Sequence, residues 1–501
     1  MTRDLQRPKK WMRWVGGVTL LAVALLARPL YTLWRGHSRD GGALPVLAPG
    51  TVDDVSRLNA ATVDSVVHLV EGTTASTEQL RSVLDYARAH HLPVSIAGAK
   101  HSMGGHTIAP NGVQVDMLPF KHLSLDTTTN ILTAGAGALW SEVIPYLNEH
   151  GRAVAVMQSD NAFSIGGSIS VNCHGWQHNS APIASTVRSF RLMLANGSPL
   201  NCSRAENPEL FSLALGGYGL FGIILEVDLF TVPNELYMYH RLVTTSERYL
   251  ENYARLIDGD STVRMVYGRL NVNESDFLHR AMLNYFTFDS AAPAGSPLDE
   301  PGLEELKRSI FLGSKDDDYG KRMRWNSEQT YTKSQLGSRI TRNQVMNESP
   351  SVYLNRSPDR TDILHEYFIP RVRFVAFIHA MQRIIPAHEQ DLLNVTIRNV
   401  YHDEDVFLSY AHEEVFAFVL FFDQAMNTEA EADMKALTTE LIDAALDLQG
   451  TYYLPYRLHA SPVQLHRGYP MVSDFFALKQ RYDPGGLFQN KFSLTYGNGR
   501  P

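Results

Sequence analysis

The sequence predicts an α+β protein with more than one domain. Its 501 residues are enough for two hydrophobic cores, because a domain usually takes roughly 100 to 200 residues. A strand, a helix and a second strand are expected over residues 65–97, and hairpins and glycine-rich turns follow them. Apolar strands then dominate residues 360–425. Strand-rich segments interrupted by single helices are typical of α+β architecture.

The composition favours a small-molecule partner and excludes several other classes. The net charge is -8, whereas nucleic-acid binding requires clustered Lys and Arg, so we expect no nucleic acid. Two cysteines, Cys173 and Cys202, can neither build a disulfide framework nor complete a zinc site by themselves. The histidines and acids at 402–405 and 412–414 lack the spacing of metal ligands, so no metal site is expected.

The N-terminal segment, residues 1–40, is predicted to be a single-pass membrane anchor. A basic start precedes an uncharged stretch over residues 14–27. This stretch is short for a bilayer core of about 30 Å, but Arg28 can snorkel and Trp34 can lie at the interface. The preceding positive charge places the main body on the non-cytoplasmic side. A cleaved signal peptide, with Ala22-Val23-Ala24 as its small-residue site, is the alternative.

After a Gly/Pro linker over residues 41–55, the first folding unit ends in a glycine-rich turn. SVVHLV is predicted to be a strand, and STEQLRSVLDYARAHH a helix with a capping box between Ser76 and Gln79. The strand PVSIAG then runs into AKHSMGGH. Several backbone N–H groups converge at such a turn, which suits a phosphate group.

Further glycine turns follow at strand ends. ILTAGAGALW (131–140) imitates a dinucleotide fingerprint, but Trp140 occupies the position of the third glycine, which disfavours a nicotinamide-binding domain. A nicotinamide enzyme remains an alternative. SIGGSIS (164–170) and LALGGYGLFGII (213–224) are two more such turns, and a hairpin turn is predicted at Asn196-Gly197. Several turns of this kind suit one long polar ligand.

Four motifs in this order carry a family resemblance: GAKHSMGG, SIGGSISVNCHG, NPELFSLALGGYGLFGII and YDPGGLFQNKF. Together they resemble the vanillyl-alcohol-oxidase type (PCMH type) of FAD-dependent oxidoreductase, above all alditol and aldonolactone oxidases and decaprenylphosphoryl-ribose oxidase. The resemblance implies a two-subdomain FAD-binding domain at 56–235 and an α+β substrate domain at 236–455 whose sheet faces the flavin. Residues 456–501 are expected to return to the FAD domain.

The resemblance also implies which residues hold FAD. His101 matches the histidine that alditol and aldonolactone oxidases bond to the flavin 8α-methyl, whereas other relatives bind FAD noncovalently, so both modes stay open. His106 is then expected behind the flavin contacts or at the surface. The other residues expected to bind FAD are Ala99, Lys100, Ser102, Met103, Gly104, Gly105, Ser164, Gly166, Gly167, Ser168, His174, Gly217, Gly222, Ile223 and Asn490.

Catalytic candidates follow from the same resemblance. Arg398 in IRNVYHDED matches the arginine that contacts the reacting hydroxyl in alditol oxidases, although Thr396 stands where those enzymes have a glutamate. Arg457 and His459, in YYLPYRLHASP, lie where relatives bring a cationic side chain to the flavin. With His174, these residues are the candidates for orienting the substrate and carrying its proton.

The expected function is FAD-dependent oxidation of a hydroxyl group on a carbohydrate-like substrate, such as a polyol, sugar, lactone or lipid-linked sugar. Hydride transfer to flavin N5 reduces the cofactor, and either oxygen or a membrane electron acceptor reoxidises it. Sequence alone leaves oxidase and dehydrogenase equally open. A flavin-binding envelope protein without turnover is the alternative from another class.

Overall fold

The computed structural model describes residues 15, 26–41, 44, 46–70, 72–298, 304–333 and 335–497. Most of the predicted anchor therefore lies outside the described residues. In the described part, no helix combines the length and the apolar character needed to cross a bilayer. Residues 26–38 are helical.

Nineteen strands in the described part of the chain form four sheets. The strands are β1 (Thr51–Val52), β2 (Ala61–Thr62), β3 (Ser65–His68), β4 (Val94–Ala97), β5 (Val113–Asp116), β6 (Leu123–Asp126), β7 (Ile131–Gly135), β8 (Arg152–Val154), β9 (Val187–Met193), β10 (Pro199–Ser203), β11 (Ile223–Pro233), β12 (Glu235–Thr245), β13 (Val263–Leu270), β14 (Arg280–Ala291), β15 (Arg339–Thr341), β16 (Arg360–Pro370), β17 (Asp391–Val400), β18 (Val415–Ala425) and β19 (Thr451–Tyr452). The sheets differ in size and in strand direction. Together with the helices between them, they form a mixed α/β fold.

Helices connect and cover these sheets. The α-helices are Thr73–His90, Trp140–Glu149, Ile165–Ser170, Pro208–Ala214, Tyr249–Tyr253, Glu304–Gly313, Asp318–Lys333, Arg342–Met346, Phe374–Ile384, Thr428–Asp447, Pro462–Gly468, Val472–Tyr482 and Lys491–Tyr496. Shorter 3-10 turns are Ile183–Thr186, Glu274–Asp276, Pro350–Val352, Arg371–Arg373 and Ile385–Ala387, and Ala254–Asp258 is a π-helical turn.

The first unit is a parallel sheet in the order β3-β5-β4, covered by the helix Thr73–His90. The predicted capping box is wrong, because this helix begins three residues earlier, after Gly72 with φ 96°. Ser76 therefore lies inside the first turn and donates to the carbonyl of Val70. The side chain of Gln79 instead joins the preceding segment, accepting from the N–H of Val70 at 2.8 Å.

The C-terminal segment extends this first sheet. The N–H of Val94 donates to the carbonyl of Leu487 at 2.7 Å, and the N–H of Gln489 donates back to Val94 at 3.0 Å. Residues 487–489 thus lie beside β4, next to the first glycine turn.

The second sheet is antiparallel in the order β10-β9-β11-β7-β6, with β8 also paired to β11. The hairpin between β9 and β10 confirms the turn predicted at Asn196-Gly197. The glycines of the dinucleotide-like motif are packed against protein backbone, since an added Cβ on Gly135 would meet the Phe120 carbonyl and one on Gly137 the Met117 carbonyl. These two glycines therefore allow close packing of one backbone segment against another.

The third large element is an eight-stranded sheet in the order β15-β12-β14-β13-β17-β18-β16-β19. The change from the second sheet to this one falls between β11 and β12, at residues 233–235. The helices Phe374–Ile384 and Thr428–Asp447 pack against β16 and its neighbours. The strands predicted between residues 360 and 425 are present as β16, β17 and β18.

Candidate active site

A cavity of about 500 Å³ lies between the first glycine turn and the eight-stranded sheet. Residues 98–103 of the turn line one part of it, together with Phe163, Ser164, Gly166 and Gly167. The eight-stranded sheet contributes Glu366 from β16 and Thr396 and Arg398 from β17. The predicted sheet that faces a ligand site is therefore present.

The first glycine turn presents free backbone donors to this cavity. Within the described residues, the N–H groups of residues 99–102 donate to no other protein atom. Lys100 has a left-handed φ of 59°, and its Nζ donates to Gln114 Oε1 at 2.9 Å. Gly98 is required opposite Ser164, because a Cβ there would overlap the serine Oγ. Successive free N–H groups in such a turn form an anion-binding concavity.

His101 and His106 both line the cavity but pack against different side chains. His101 lines the cavity, and its ring stacks on Phe163 with 4.0 Å between centroids. Burial lowers the pKa of His101, so its imidazole is neutral at physiological pH. His106 is 5% exposed and packs between Tyr218 and Phe492. The expectation of a surface position for His106 is therefore wrong.

His174, Glu366 and Arg398 meet in the wall of the cavity. The distance from His174 Nε2 to Glu366 Oε1 is 2.7 Å, and their side chains are 4% and 1% exposed. Arg398 donates from Nη1 to the carbonyl of His174 at 3.3 Å and from Nη2 to Ser159 Oγ at 2.8 Å. Its buried Nε has no partner in the described part of the chain. Two of the predicted catalytic residues are thus brought together.

Glu366 is the functional candidate that sequence reasoning missed. Burial alone would raise its pKa, but the close contact with His174 and the charge of Arg398 outweigh burial and lower it. Tyr456 also donates to Glu366 Oε2 at 3.2 Å. The available signal was a glutamate inside the apolar strand segment ILHEYFIP, since an acid is rarely buried without a partner.

Two other acids and a thiol face the same cavity. Burial raises the pKa of Asp160 to about 6, against the lowering effect of Arg398. Burial and the charge of Asp160 raise the pKa of Glu348 to about 7. Cys173 is free and buried, and burial raises the pKa of its thiol to about 12. The thiol is therefore neutral, and the acids are only partly charged near neutral pH.

Arg457 and His459 both contact Glu431. Neither of them is among the residues that line the cavity in the described part of the chain. Both contact Glu431 Oε1, His459 through Nε2 at 2.9 Å. His459 Nδ1 also contacts Thr438 Oγ1 at 3.0 Å. Arg457 Nη1 donates to the carbonyl of Met103 at 3.4 Å, so this network contacts the backbone of the glycine turn.

The remaining predicted cofactor residues divide into two sets. Those that line the cavity are Ala99, Lys100, Ser102, Met103, Ser164, Gly166, Gly167, His174 and Gly222. In the described part of the chain, the predicted cofactor residues that do not line the cavity are Gly104, Gly105, Ser168, Gly217, Ile223 and Asn490. Several of the second set have structural partners: the N–H of Gly105 donates to Asp54, Ser168 donates to Gln158, and Asn490 caps the last helix and donates to the Tyr218 carbonyl.

Comparison with known proteins defines the class of the first part of the chain. Residues 72–203 match the family model described as FAD binding domain. The chain is 30% identical to bovine L-gulonolactone oxidase (Bos taurus) over 178 residues, which are 35% of this chain and 40% of that protein. It is 29% identical to a putative D-arabinono-1,4-lactone oxidase of Neurospora crassa, over 43% of this chain and 38% of the relative.

A third relative is a dehydrogenase rather than a lactone oxidase. Cytokinin dehydrogenase 6 of Oryza sativa subsp. japonica is 29% identical over 36% of this chain and 35% of its own length. The matched region thus spans about two fifths or less of each of these relatives. The chain carries an FAD-binding domain, and FAD is its cofactor.

The residues around the cavity fit this cofactor. The free N–H groups of residues 99–102 suit the pyrophosphate, since backbone amides bind phosphate oxygens without a counter-charge. The neutral His101, stacked on Phe163, lies in the same cavity. A cavity of about 500 Å³ is within the range of ligand sites.

Proposed function

We propose that the protein is an FAD-dependent oxidoreductase that oxidises a CH–OH group of a carbohydrate-like substrate. One observation carries the proposal: a single cavity joins the free amides of residues 99–102 to the buried group of His174, Glu366 and Arg398. Burying charged side chains is costly, and a flavin-binding module without turnover would have no use for them at this place. The lactone oxidases among the relatives support the same substrate class.

In the proposed reaction, bound FAD supplies the acceptor for the hydride. Arg398 holds the hydroxyl oxygen, because its buried Nε has no partner among the described protein atoms. Glu366 Oε1 lies 2.7 Å from His174 Nε2 and favours a proton on that nitrogen, so Nδ1 is the nitrogen that accepts the hydroxyl proton. The aromatic rings of Phe368, Tyr410 and Tyr453 surround this histidine, so water has little access.

Arg457 and His459 are assigned a positioning role in this proposal. Both are held by Glu431. Burial raises the pKa of this acid, but the hydrogen bond with His459 and the charge of Arg457 outweigh burial and lower the pKa to about 2. Glu431 is therefore charged and keeps Arg457 against the Met103 carbonyl. The network orders the glycine turn that holds the cofactor.

His101 is proposed to carry FAD covalently. A bond to the flavin 8α-methyl requires an uncharged ring nitrogen, and burial keeps this imidazole neutral by lowering its pKa. The stack on Phe163 fixes the plane of the ring within the cavity. Noncovalent binding through the same turn is the alternative.

The N-terminal segment is proposed to anchor the protein in a membrane, with the main body on the non-cytoplasmic side. The described helix at residues 26–38 exposes Leu26, Leu30 and Trp34 by 56%, 60% and 62%, and these positions lie on one face at a spacing of four residues. This apolar face continues the uncharged stretch at 14–27. Arg35 holds the helix to the main body through the carbonyls of Gly313 and Lys315.

The test of the proposed function is a cofactor and activity assay on the purified full-length chain. We expect extraction or proteolysis to yield FAD, and a panel of aldonolactones, sugars and polyols to contain a compound whose oxidation reduces oxygen or an artificial acceptor. The product, hydrogen peroxide or reduced acceptor, separates oxidase from dehydrogenase. An FAD-loaded protein that is inert to the whole panel would favour the non-catalytic alternative.

A further inference from the structure

The cavity continues beyond Arg398 along strand β17. Arg398, Thr396 and Asn394 alternate along the strand and all line the cavity. At about 3.3 Å per residue, this wall is about 13 Å long. At its far end Arg324, from the helix Asp318–Lys333, donates from Nη1 to the Leu393 carbonyl at 2.9 Å and also lines the cavity. The cavity therefore has a second end that is remote from Arg398.

Two guanidinium groups face this part of the cavity: Arg324 at its far end, and Arg269 from the strand position that pairs with Thr396. Arg269 of β13 contacts Glu328 Oε2 through Nη2 at 3.2 Å, while its buried Nε has no partner among the described residues. Arg324 lies over the ring of Phe311, 4.8 Å from its centroid, and no carboxylate in the described part of the chain forms an ion pair with it. Burial and the charge of Arg269 lower the pKa of Arg324 to about 10, which leaves it positive at neutral pH.

The acids at this end do not cancel the positive charge. The negative charge of Glu328 is shared between Arg269 and Arg241, because Glu328 Oε1 also lies 3.9 Å from Arg241 Nη2. Glu348 carries only part of a charge near neutral pH, since its pKa is raised to about 7. The second end of the cavity is therefore a positively charged pocket, with guanidinium donors that the described protein atoms leave unused.

We propose that Arg324 and Arg269 form an anion subsite that holds an oxyanion of the substrate, a carboxylate or a phosphate, while a hydroxyl near Arg398 is oxidised. Guanidinium groups bind both oxyanions through charge-assisted, often bidentate hydrogen bonds. The inference rests on the proposed function and narrows its substrate class to acidic carbohydrates. The oxyanion lies at the far end of the carbon chain from the reacting hydroxyl.

Calorimetric titration of the purified holoenzyme tests this subsite without requiring turnover. The probes are D-glucitol, D-gluconate and D-glucitol 6-phosphate, which share a six-carbon chain and differ in having no charge, a carboxylate or a phosphate. We expect at least one anion to bind about tenfold or more tightly than D-glucitol, as one charge-assisted hydrogen bond would provide. The anion whose affinity exceeds that of D-glucitol by the larger factor shows whether the subsite holds a carboxylate or a phosphate.

Arg324→Met should abolish this advantage, whereas Arg322→Met, an exposed arginine on the same helix, should keep it. Arg324→Lys should retain part of the tighter binding of the anion.

If Arg324→Met does not fold, a salt titration of the parent provides the test. The tighter binding of the anion should weaken as salt is raised, while D-glucitol binding stays constant. Equal affinity for all three probes, no detectable binding of either anion, or an advantage that survives Arg324→Met overturns the subsite. A flavin that no compound reduces counts against the proposed function and leaves the titration result standing.

Discussion

His174 Nε2 lies 2.7 Å from Glu366 Oε1, although the two residues come from segments far apart in the chain. Arg398 donates to the backbone carbonyl of this histidine. The pKa of Glu366 is lowered despite its burial, through its contact with His174 and the charge of Arg398. In the proposed mechanism, the carboxylate selects the tautomer in which His174 can accept a proton.

The first prediction concerns this pair. Glu366→Gln keeps the size of the side chain but removes its charge, so we expect the variant to retain FAD and to reduce it about 100-fold more slowly, as for the loss of an acid–base contribution. Anaerobic stopped-flow absorbance measures the rate. The control is Glu429→Gln, which changes an exposed acid. Equal rates in parent and Glu366→Gln would assign Glu366 a purely structural role.

The second prediction concerns cofactor attachment. After denaturation, the parent's flavin should remain with the polypeptide, because a histidyl bond survives unfolding and backbone hydrogen bonds do not. His101→Ala should release the flavin on denaturation, while His106→Ala should leave the attachment intact. Gel fluorescence and mass spectrometry of the denatured chain measure this. Free flavin from the denatured parent would exclude the covalent bond, and release only from His106→Ala would move the link to that residue.

Much of this site could be predicted from sequence, because local motifs carry it. The turn at His101, the segment at His174 and the strand with Arg398 each have a recognisable pattern, and the structure places all three at one cavity. Glu366 was missed because its partner is remote in sequence and an apolar strand surrounds it. Only the tertiary fold shows which buried acid meets which histidine.

Other differences have local physical causes. Ser76 and Gln79 have the spacing of a capping box, but Gly72 starts the helix earlier and their side chains bond the preceding segment. Arg457 and His459 were predicted from their motif, which gave no sign that Glu431 contacts both. The residues next to an arginine or a histidine in the sequence do not show which carboxylate of a distant helix will contact it.

The third prediction is a pH dependence of stability. Burial, with the positive charges of His459 and Arg457, lowers the pKa of His365 to about 3. In the unfolded chain this histidine takes up a proton near the ordinary histidine pKa of 6.5, so the unfolded state binds more protons between these values. The free energy of unfolding therefore falls as pH drops from about 6.5 to about 3, by up to about 1.4 kcal/mol per pH unit from this residue.

Urea unfolding at several pH values checks this dependence. We expect His365→Asn to have a shallower loss of stability with acid than the parent, so the difference between them narrows as pH falls. The control His379→Asn changes an exposed histidine and should follow the parent's slope. Parallel curves for the parent and His365→Asn would show that His365 is protonated in the folded state as readily as in the unfolded one.

The fourth prediction concerns the N-terminus. The pair Leu20→Arg and Leu21→Arg interrupts the uncharged stretch at 14–27, and each arginine costs about 2.5 to 3.5 kcal/mol at a membrane helix centre. We expect carbonate extraction of membranes to release this variant and to leave the parent in the pellet. Leu306→Arg, at an exposed site on the main body, is the control. An N-terminal sequence that starts after Ala24 would instead establish a cleaved signal peptide.

The most direct test of the central claim is the rate of flavin reduction in the parent and in Arg398→Met under anaerobic conditions. The protein is mixed with the best substrate from the panel, and the loss of the oxidised flavin absorbance is recorded. We predict rapid bleaching in the parent and a rate about 100 to 1000-fold lower in Arg398→Met, the usual effect of removing one donor from a developing oxyanion. Bleaching at the parent's rate in Arg398→Met, or no bleaching of the parent by any panel compound, would contradict the assignment of this cavity as a site of hydroxyl oxidation.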